Sequence, residues 1–172
     1  MNLNQHWVSG WGNAVSVAEN RPERYARDIT IRYPIHIPFA GDAIRLTFDN
    51  YCGTESVTLT RTTVLHNGKF YPVKFGSARP VTIRAGDKAI SDPLKLKLSA
   101  GDVIQVSFYL GGFTLMRSVV YASGPLSQGL YANGDETMNP EISRTTSRST
   151  HLFYFLSNVS VLTDAENRAI VC

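Results

Sequence analysis

Apolar and polar side chains alternate with a period of two along most of this chain. The segments DITIRYPIHI (28–37), AIRLTF (43–48), SVTLTRTTVLH (56–66), PVTIR (80–84), LKLKL (94–98), VIQVSFYL (103–110) and LFYFLSNVSVL (152–162) either alternate in this way or cluster β-branched and aromatic residues. Successive side chains on a strand point to opposite faces, so this pattern predicts strands with one buried side. Weaker strand signals cover 14–18, 70–75 and 115–122. No stretch sustains the apolar stripe of a helix over about 10 residues.

The punctuation between these runs agrees. Asn67-Gly68 separates two of them and predicts a tight hairpin, since both residues tolerate positive φ. Ala-Gly-Asp recurs at 40–42, 85–87 and 100–102, each time before or between strands, and reads as repeated turn chemistry. About ten short strands, each with one apolar face, predict an all-β fold in which two antiparallel sheets pack face to face. A jelly-roll-like sandwich fits the strand number and length. The alternative is an immunoglobulin-like sandwich, whose characteristic Cys and Trp spacing the chain lacks. Pro34 and Pro38 cannot donate ladder hydrogen bonds, which places their segment at an edge or at a bulge. Residues 123–150 form the longest stretch without a strand signal, and long loops at the end of a sandwich are common places for binding sites.

Composition narrows the function classes. At 172 residues and 43% apolar, the chain suits one well-cored domain. The net charge of +3 is spread through the strands without a basic block, so neither nucleic acid nor a membrane is an expected partner. The densest basic group, Arg21, Arg24 and Arg27, is interleaved with Glu19, Glu23 and Asp28 and reads as a solvated loop. Cys52 and Cys172 make no disulfide framework, and His6, His36, His66 and His151 are scattered, so no metal site is expected. No 18-residue apolar run is present, and the first residues, MNLNQHWVSGWG, lack the basic and apolar regions of a signal peptide.

The sequence carries no recognisable catalytic motif. GPLSQG (124–129) has the wrong spacing for a nucleophile elbow, and Asp42, Asp87, Asp92, Asp102, Asp135 and Glu136 mostly occupy turns, where a carboxylate caps backbone. No phosphate loop, His-x-x-x-His or Cys-x-x-Cys occurs, and no cofactor is implied. Aromatic residues offer a binding signal instead. Trp7 and Trp11, four apart, share one face of a regular extended strand and would form a platform for a sugar ring, or else pack into the sandwich. Tyr131, Asn133 and Asp135 in the long loop combine one ring with two polar groups, as a small glycan site would. Asn158-Val159-Ser160 matches a glycosylation sequon but falls inside a predicted strand.

Several segments taken in order resemble the N-terminal β-sandwich found ahead of the catalytic domain in a branch of the SGNH (GDSL) hydrolases that includes xylan-esterase-like enzymes. WVSGWGNA stands at the start. In DITIRYPIHIPFAGDAIRLTFDNYCG, Arg32, Gly41, Arg45, Leu46, Asn50 and Gly53 fall at the family's Arg, Gly, Arg-Leu and Asn-x-x-Gly positions. The stretch RPVTIRAGDKAISDPLKLKLSAGDVIQVSFYL is similar to a family run of Pro-Val-Thr-Ile, Ala-Gly, Ser-Asp-Pro and Val-Ser-x-Tyr, and FLSNVSVLTDAENRAIVC resembles the exit strand and linker. The likeness spans nearly the whole chain, with a departure over 123–150.

The resemblance implies a sandwich accessory domain at 1–163, followed at 164–172 by a linker and the first strand of a hydrolase domain. The apolar run Ala169-Ile170-Val171-Cys172 suits that strand, because the central parallel strand of an α/β sheet is buried on both faces. The family's Gly-Asp-Ser, Gly-x-Asn-Asp and Asp-x-x-His blocks match nothing here, so no catalytic residue carries over. The expectation is a non-catalytic domain of a bacterial esterase acting on acylated carbohydrate or small esters, shaping its active site or holding glycan. Its expected partner is that hydrolase domain, and residues 169–171 are expected to pair with a sheet edge of this chain or a neighbouring one. The alternatives are a stand-alone carbohydrate-binding or adhesion module and, by fold analogy only, a capsid-type jelly roll.

Overall fold

The structure is a computed structural model describing residues 5–17, 23–124, 127–142 and 147–164. The tail at 169–171 and Cys172 therefore lie outside the described residues, as do Glu19 and Arg21.

Strands account for all the regular structure among the described residues. In chain order they begin with β1 (His6–Gly12), β2 (Ser16–Val17), β3 (Tyr25–Ala26), β4 (Ile29–His36), β5 (Gly41–Asp49) and β6 (Val57–Leu59). They continue with β7 (Arg61–His66), β8 (Lys69–Pro72), β9 (Val81–Ile83), β10 (Lys88–Ile90), β11 (Leu94–Leu98) and β12 (Val103–Leu110). The chain then adds β13 (Thr114–Leu115), β14 (Ser118–Tyr121), β15 (Gly129–Asn133), β16 (Ser147–Thr150), β17 (Leu152–Tyr154) and β18 (Leu156–Thr163).

Two antiparallel sheets dominate. One has six strands in the order β16-β15-β4-β12-β7-β8, and the other has β1-β18-β5-β10 with β11 also paired to β5. Three small sheets, β17-β14-β2, β13-β3 and β6-β9, gather the remaining strands. Long strands alternate between the two main sheets, β4 to β5 to β7 to β11 to β12, in jelly-roll-like fashion. The expected all-β sandwich is what forms.

The alternation seen in the sequence becomes the two sides of each sheet. Ile31, Tyr33 and Ile35 of β4 and Ile104, Val106 and Phe108 of β12 meet Ile44, Leu46 and Phe48 of β5 and Val159 and Val161 of β18 in one buried cluster. Phe48 and Phe108 cross edge to face at 5.4 Å between the sheets. Burying each such side chain contributes about 1.5–3 kcal/mol relative to leaving it in water.

Two predicted strands are each broken in two. SVTLTRTTVLH divides at Thr60 into β6 and β7, which belong to different sheets. LFYFLSNVSVL divides at Phe155, buried and held at φ 61°, where the chain leaves β17 for β18. The Asn67-Gly68 hairpin forms as expected, with φ of 49° and 73° and His66 opposite Lys69. Of the three Ala-Gly-Asp repeats, those at Gly86 and Gly101 are positive-φ turns, whereas Gly41 begins β5.

The prolines sit differently from a simple edge. β4 is interior over residues 29–32, where β15 covers one side and β12 the other. The pairing with β15 stops at Arg32, so Pro34 falls where β4 has become open on that side. Pro38 lies beyond the strand. The stretch 123–150 also holds more structure than its sequence suggested, because β15 and the polar edge strand β16 pair within it.

Between those two strands, residues 134–142 run as a strap over the outer face of the six-stranded sheet. Thr30 Oγ1 donates to the Gly134 carbonyl at 2.7 Å and accepts from the Glu136 amide, and Thr63 Oγ1 donates to the Thr137 carbonyl. Arg32, one of the residues of the SGNH resemblance, is buried beneath it. Its Nε donates to Ser107 Oγ at 2.6 Å, and its Nη atoms donate to the carbonyls of Glu136 and Pro140.

Candidate ligand-binding cleft

Beyond β4 the six-stranded sheet carries β15 and β16, and its inner face there is met by the short strands β3 and β17 instead of by the five-stranded sheet. A cleft of about 450 Å³ results. Its floor is apolar, formed by Ile29 and Ile31 of β4, Met116 and Leu152. Three tyrosines line it from three different elements: Tyr25 on β3, Tyr131 on β15 and Tyr154 on β17. Arg24, Arg27, Ser149 and Thr150 supply its polar edge.

Each of these side chains is placed by pairing that is distant in sequence. Tyr131 stands opposite Ile31, so it shares the core-facing side of the sheet. Tyr154 stands opposite Val119 and Tyr25 opposite Leu115. The Tyr25 hydroxyl donates to Glu55 at 2.7 Å, and that hydrogen bond, followed by desolvation, raises its pKa. Arg27 lies 5.1 Å over the ring of Phe113, which is 74% exposed. Thr150 Oγ1 accepts from the Leu152 amide, which leaves its own proton free for a further acceptor.

No carboxylate, imidazole or thiol is among the described lining residues, although the Glu55 carboxylate touches the Tyr25 hydroxyl. The lining offers, among the described residues, rings, hydroxyls and guanidinium groups, each able to hold a ligand. Among the described residues, no cluster of three or more His, Cys, Asp or Glu side chains is arranged to hold a metal ion.

The structure separates the expected site residues. Trp7 and Trp11 do not share a face. Gly10 is an extra residue between Ser9, opposite Ser160, and Trp11, opposite Val159, and this bulge reverses the side on which Trp11 emerges. A Cβ at residue 10 would lie 3.0 Å from Val161, which suits glycine there. Trp11 consequently turns inward, 5.7 Å from Phe153. Trp7 stays on the outer face with the Arg45 guanidinium 4.2 Å over its ring. The paired indole platform is thus replaced by one half-buried ring packed against the core and one cation–π contact.

Tyr131, Asn133 and Asp135 are separated as well. Tyr131 lines the cleft, and Asn133 is exposed at the end of β15 outside the lining. Asp135 has passed the positive-φ turn at Gly134 and lies with the strap, where it pairs with Arg61 at 2.7 Å and accepts from Thr137. Arg24 and Arg27, read from the sequence as a solvated loop, line the cleft. The alternation of charges around them is shared by ordinary loops, so nothing local distinguished them. Asn158 of the sequon lies in β18, with its carboxamide held by the hydroxyls of Ser9 and Ser160.

No protein-family model and no curated protein matches the chain.

Proposed function

We propose that the chain is a non-catalytic β-sandwich domain that holds a glycan beside an ester hydrolase domain of the SGNH class. The observation that carries the binding part is the cleft, where three tyrosine rings and hydroxyl-bearing side chains converge. Such a mixture of flat apolar faces and hydrogen-bonding groups suits a sugar, whose C–H faces pack on rings while its hydroxyls seek polar partners.

The hydrolase part rests on the ordered resemblance, and physical roles support it. The Asn50 carboxamide donates to the carbonyls of Glu55, Ile83 and Arg84, and Gly53 packs so closely on it that a Cβ has no room. An Asn-x-x-Gly pair is therefore a structural unit of this sandwich. Ser91 Oγ likewise accepts from the Leu46 amide, and the Asp92 carboxylate accepts from the amides of Gly76 and Ser77. On this reading the matching residues serve the sandwich itself, and catalysis would belong to the neighbouring domain.

Two measurements test this reading. The 172-residue chain and a form extended by the codons that follow Cys172 are assayed on p-nitrophenyl acetate, with activity expected only in the extended form. Equal activity in both would overturn the assignment. Affinity electrophoresis against soluble plant polysaccharides tests binding by the chain, expected to weaken in Tyr131→Ala. No retardation by any polysaccharide would overturn the glycan role.

A further inference from the structure

We infer that the cleft takes a carboxylate-bearing sugar, a uronate, with Arg24 as the carboxylate anchor and the half-exposed ring of Tyr25 as the stacking surface. This rests on the binding role proposed above and specifies its ligand.

Charge leads the argument. Among the described residues the lining carries two guanidinium groups and no acid. Of the nearby carboxylates, Glu23 pairs with Arg117 at 2.7 Å, while Glu55 and Asp28 keep their charge and accept from the hydroxyls of Tyr25 and Tyr109, each at 2.7 Å, without forming an ion pair with Arg24 or Arg27. Arg24 and Arg27 are left without a carboxylate partner among the described residues. Arg27 is steadied by Phe113, whereas Arg24 forms no ion pair or cation–π contact among those residues. A planar guanidinium matches a carboxylate with two parallel hydrogen bonds, the contact best able to fix the orientation of an acidic ligand.

The rest of the cleft selects a sugar over a simple anion. Tyr25 is 50% exposed while its hydroxyl is tethered to Glu55, so the ring face is presented in a fixed orientation. Ser149 and Thr150 lie on the β16 side, placed to meet ring hydroxyls. The volume falls within the range of about 300–1,000 Å³ common for small-ligand sites.

Calorimetric titration of the 172-residue chain with trigalacturonate, its fully methyl-esterified form, xylotriose and glucose 6-phosphate tests the inference. Trigalacturonate should bind at least about tenfold more tightly than the ester and the neutral sugar, the worth of one charge-assisted pair. That preference should shrink as salt is raised. Arg24→Ala should abolish the preference while leaving weak binding of the neutral sugar, and Arg24→Lys should restore part of it. Unchanged melting of both variants would show that the fold is intact.

Equal affinity for acid and ester, or a preference unaffected by Arg24→Ala, would overturn the uronate inference and leave the glycan role standing. Glucose 6-phosphate binding as tightly as trigalacturonate would overturn the carboxylate assignment. No binding of any saccharide would sink the glycan role with it.

Discussion

The ring of Tyr33 lies on the ring of Phe153, with centroids 4.2 Å apart and planes 17° apart. The Tyr33 hydroxyl binds the residues on either side of that ring, donating to the Leu152 carbonyl at 2.9 Å and accepting from the Tyr154 amide at 2.8 Å. One side chain of β4 thereby sets both the height and the direction of β17, and Leu152 and Tyr154 both line the cleft. Burial raises the pKa of this fully buried phenol far above its ordinary value, so it remains a neutral donor.

Tyr33→Phe keeps the stack and removes the bridge. Leaving the Leu152 and Tyr154 backbone groups without this partner should cost about 1–3 kcal/mol. Urea denaturation should show a lower midpoint at unchanged slope, and ligand affinity should fall because the cleft wall loosens. A midpoint equal to that of the parent would mean that water replaces the bridge at no cost.

The bulge at Gly10 predicts unequal tryptophans. Trp11→Ala removes a ring packed on Phe153 and should cost about 3 kcal/mol, the low end for deleting a large aromatic from a core. Trp7→Ala loses its contact with Arg45 and should cost about 1 kcal/mol. Comparable costs with strong coupling in the double variant would contradict the opposite-face arrangement.

Arg32 should be irreplaceable by lysine. Arg32→Met strands the carbonyls of Glu136 and Pro140 and the Ser107 hydroxyl, and should cost about 2–4 kcal/mol. Burial lowers the pKa of this guanidinium while Glu136 raises it, and a lysine ammonium has no fork to reach all three acceptors. Hydrogen exchange over 134–142 should accelerate in both Arg32→Met and Arg32→Lys. Strap amides that exchange at the parental rate would show that Arg32 does not hold it.

Acid should weaken the fold through two aspartates. The amides of Ser77 and Gly76 hold the Asp92 carboxyl below its ordinary pKa, and the Ser99 amide, with His66 at 2.9 Å, does the same for Asp102. A depressed folded-state pKa means that the stabilisation is fully present above the unfolded value of about 4 and is lost as pH falls below it. The melting temperature should therefore drop on acidification below about pH 4, and less steeply in Asp92→Asn. An identical acid profile in parent and variant would refute the role of Asp92.

Much of this could be read from residue pattern, and the failures have physical causes. The strands at 28–37, 43–48, 94–98 and 103–110 emerged close to their predicted limits because alternation, burial and pairing agree along them. The breaks at Thr60 and Phe155 were hidden because alternation continues through each break, while the partner strand changes. β16 was missed because Ser147–Thr150 is a polar edge strand whose only signal is its partner, β15. Tyr131, picked out from composition, lines the cleft, but Asn133 and Asp135 were grouped with it by sequence spacing, which one positive-φ glycine at 134 overrides.

Period-two patterning and turn chemistry act over a few residues, so they sufficed to establish an all-β antiparallel sandwich and the hairpin at Asn67-Gly68. Which side chains share a cavity depends on pairings between distant segments. β3, β15 and β17 come from separate stretches of the chain, and the cleft exists because their inner faces converge at one edge of the six-stranded sheet. A single inserted glycine in β1 was likewise enough to turn one tryptophan against the core and leave the other outside. Such outcomes follow from register and sheet width, which are properties of the assembled sandwich and of no segment taken alone.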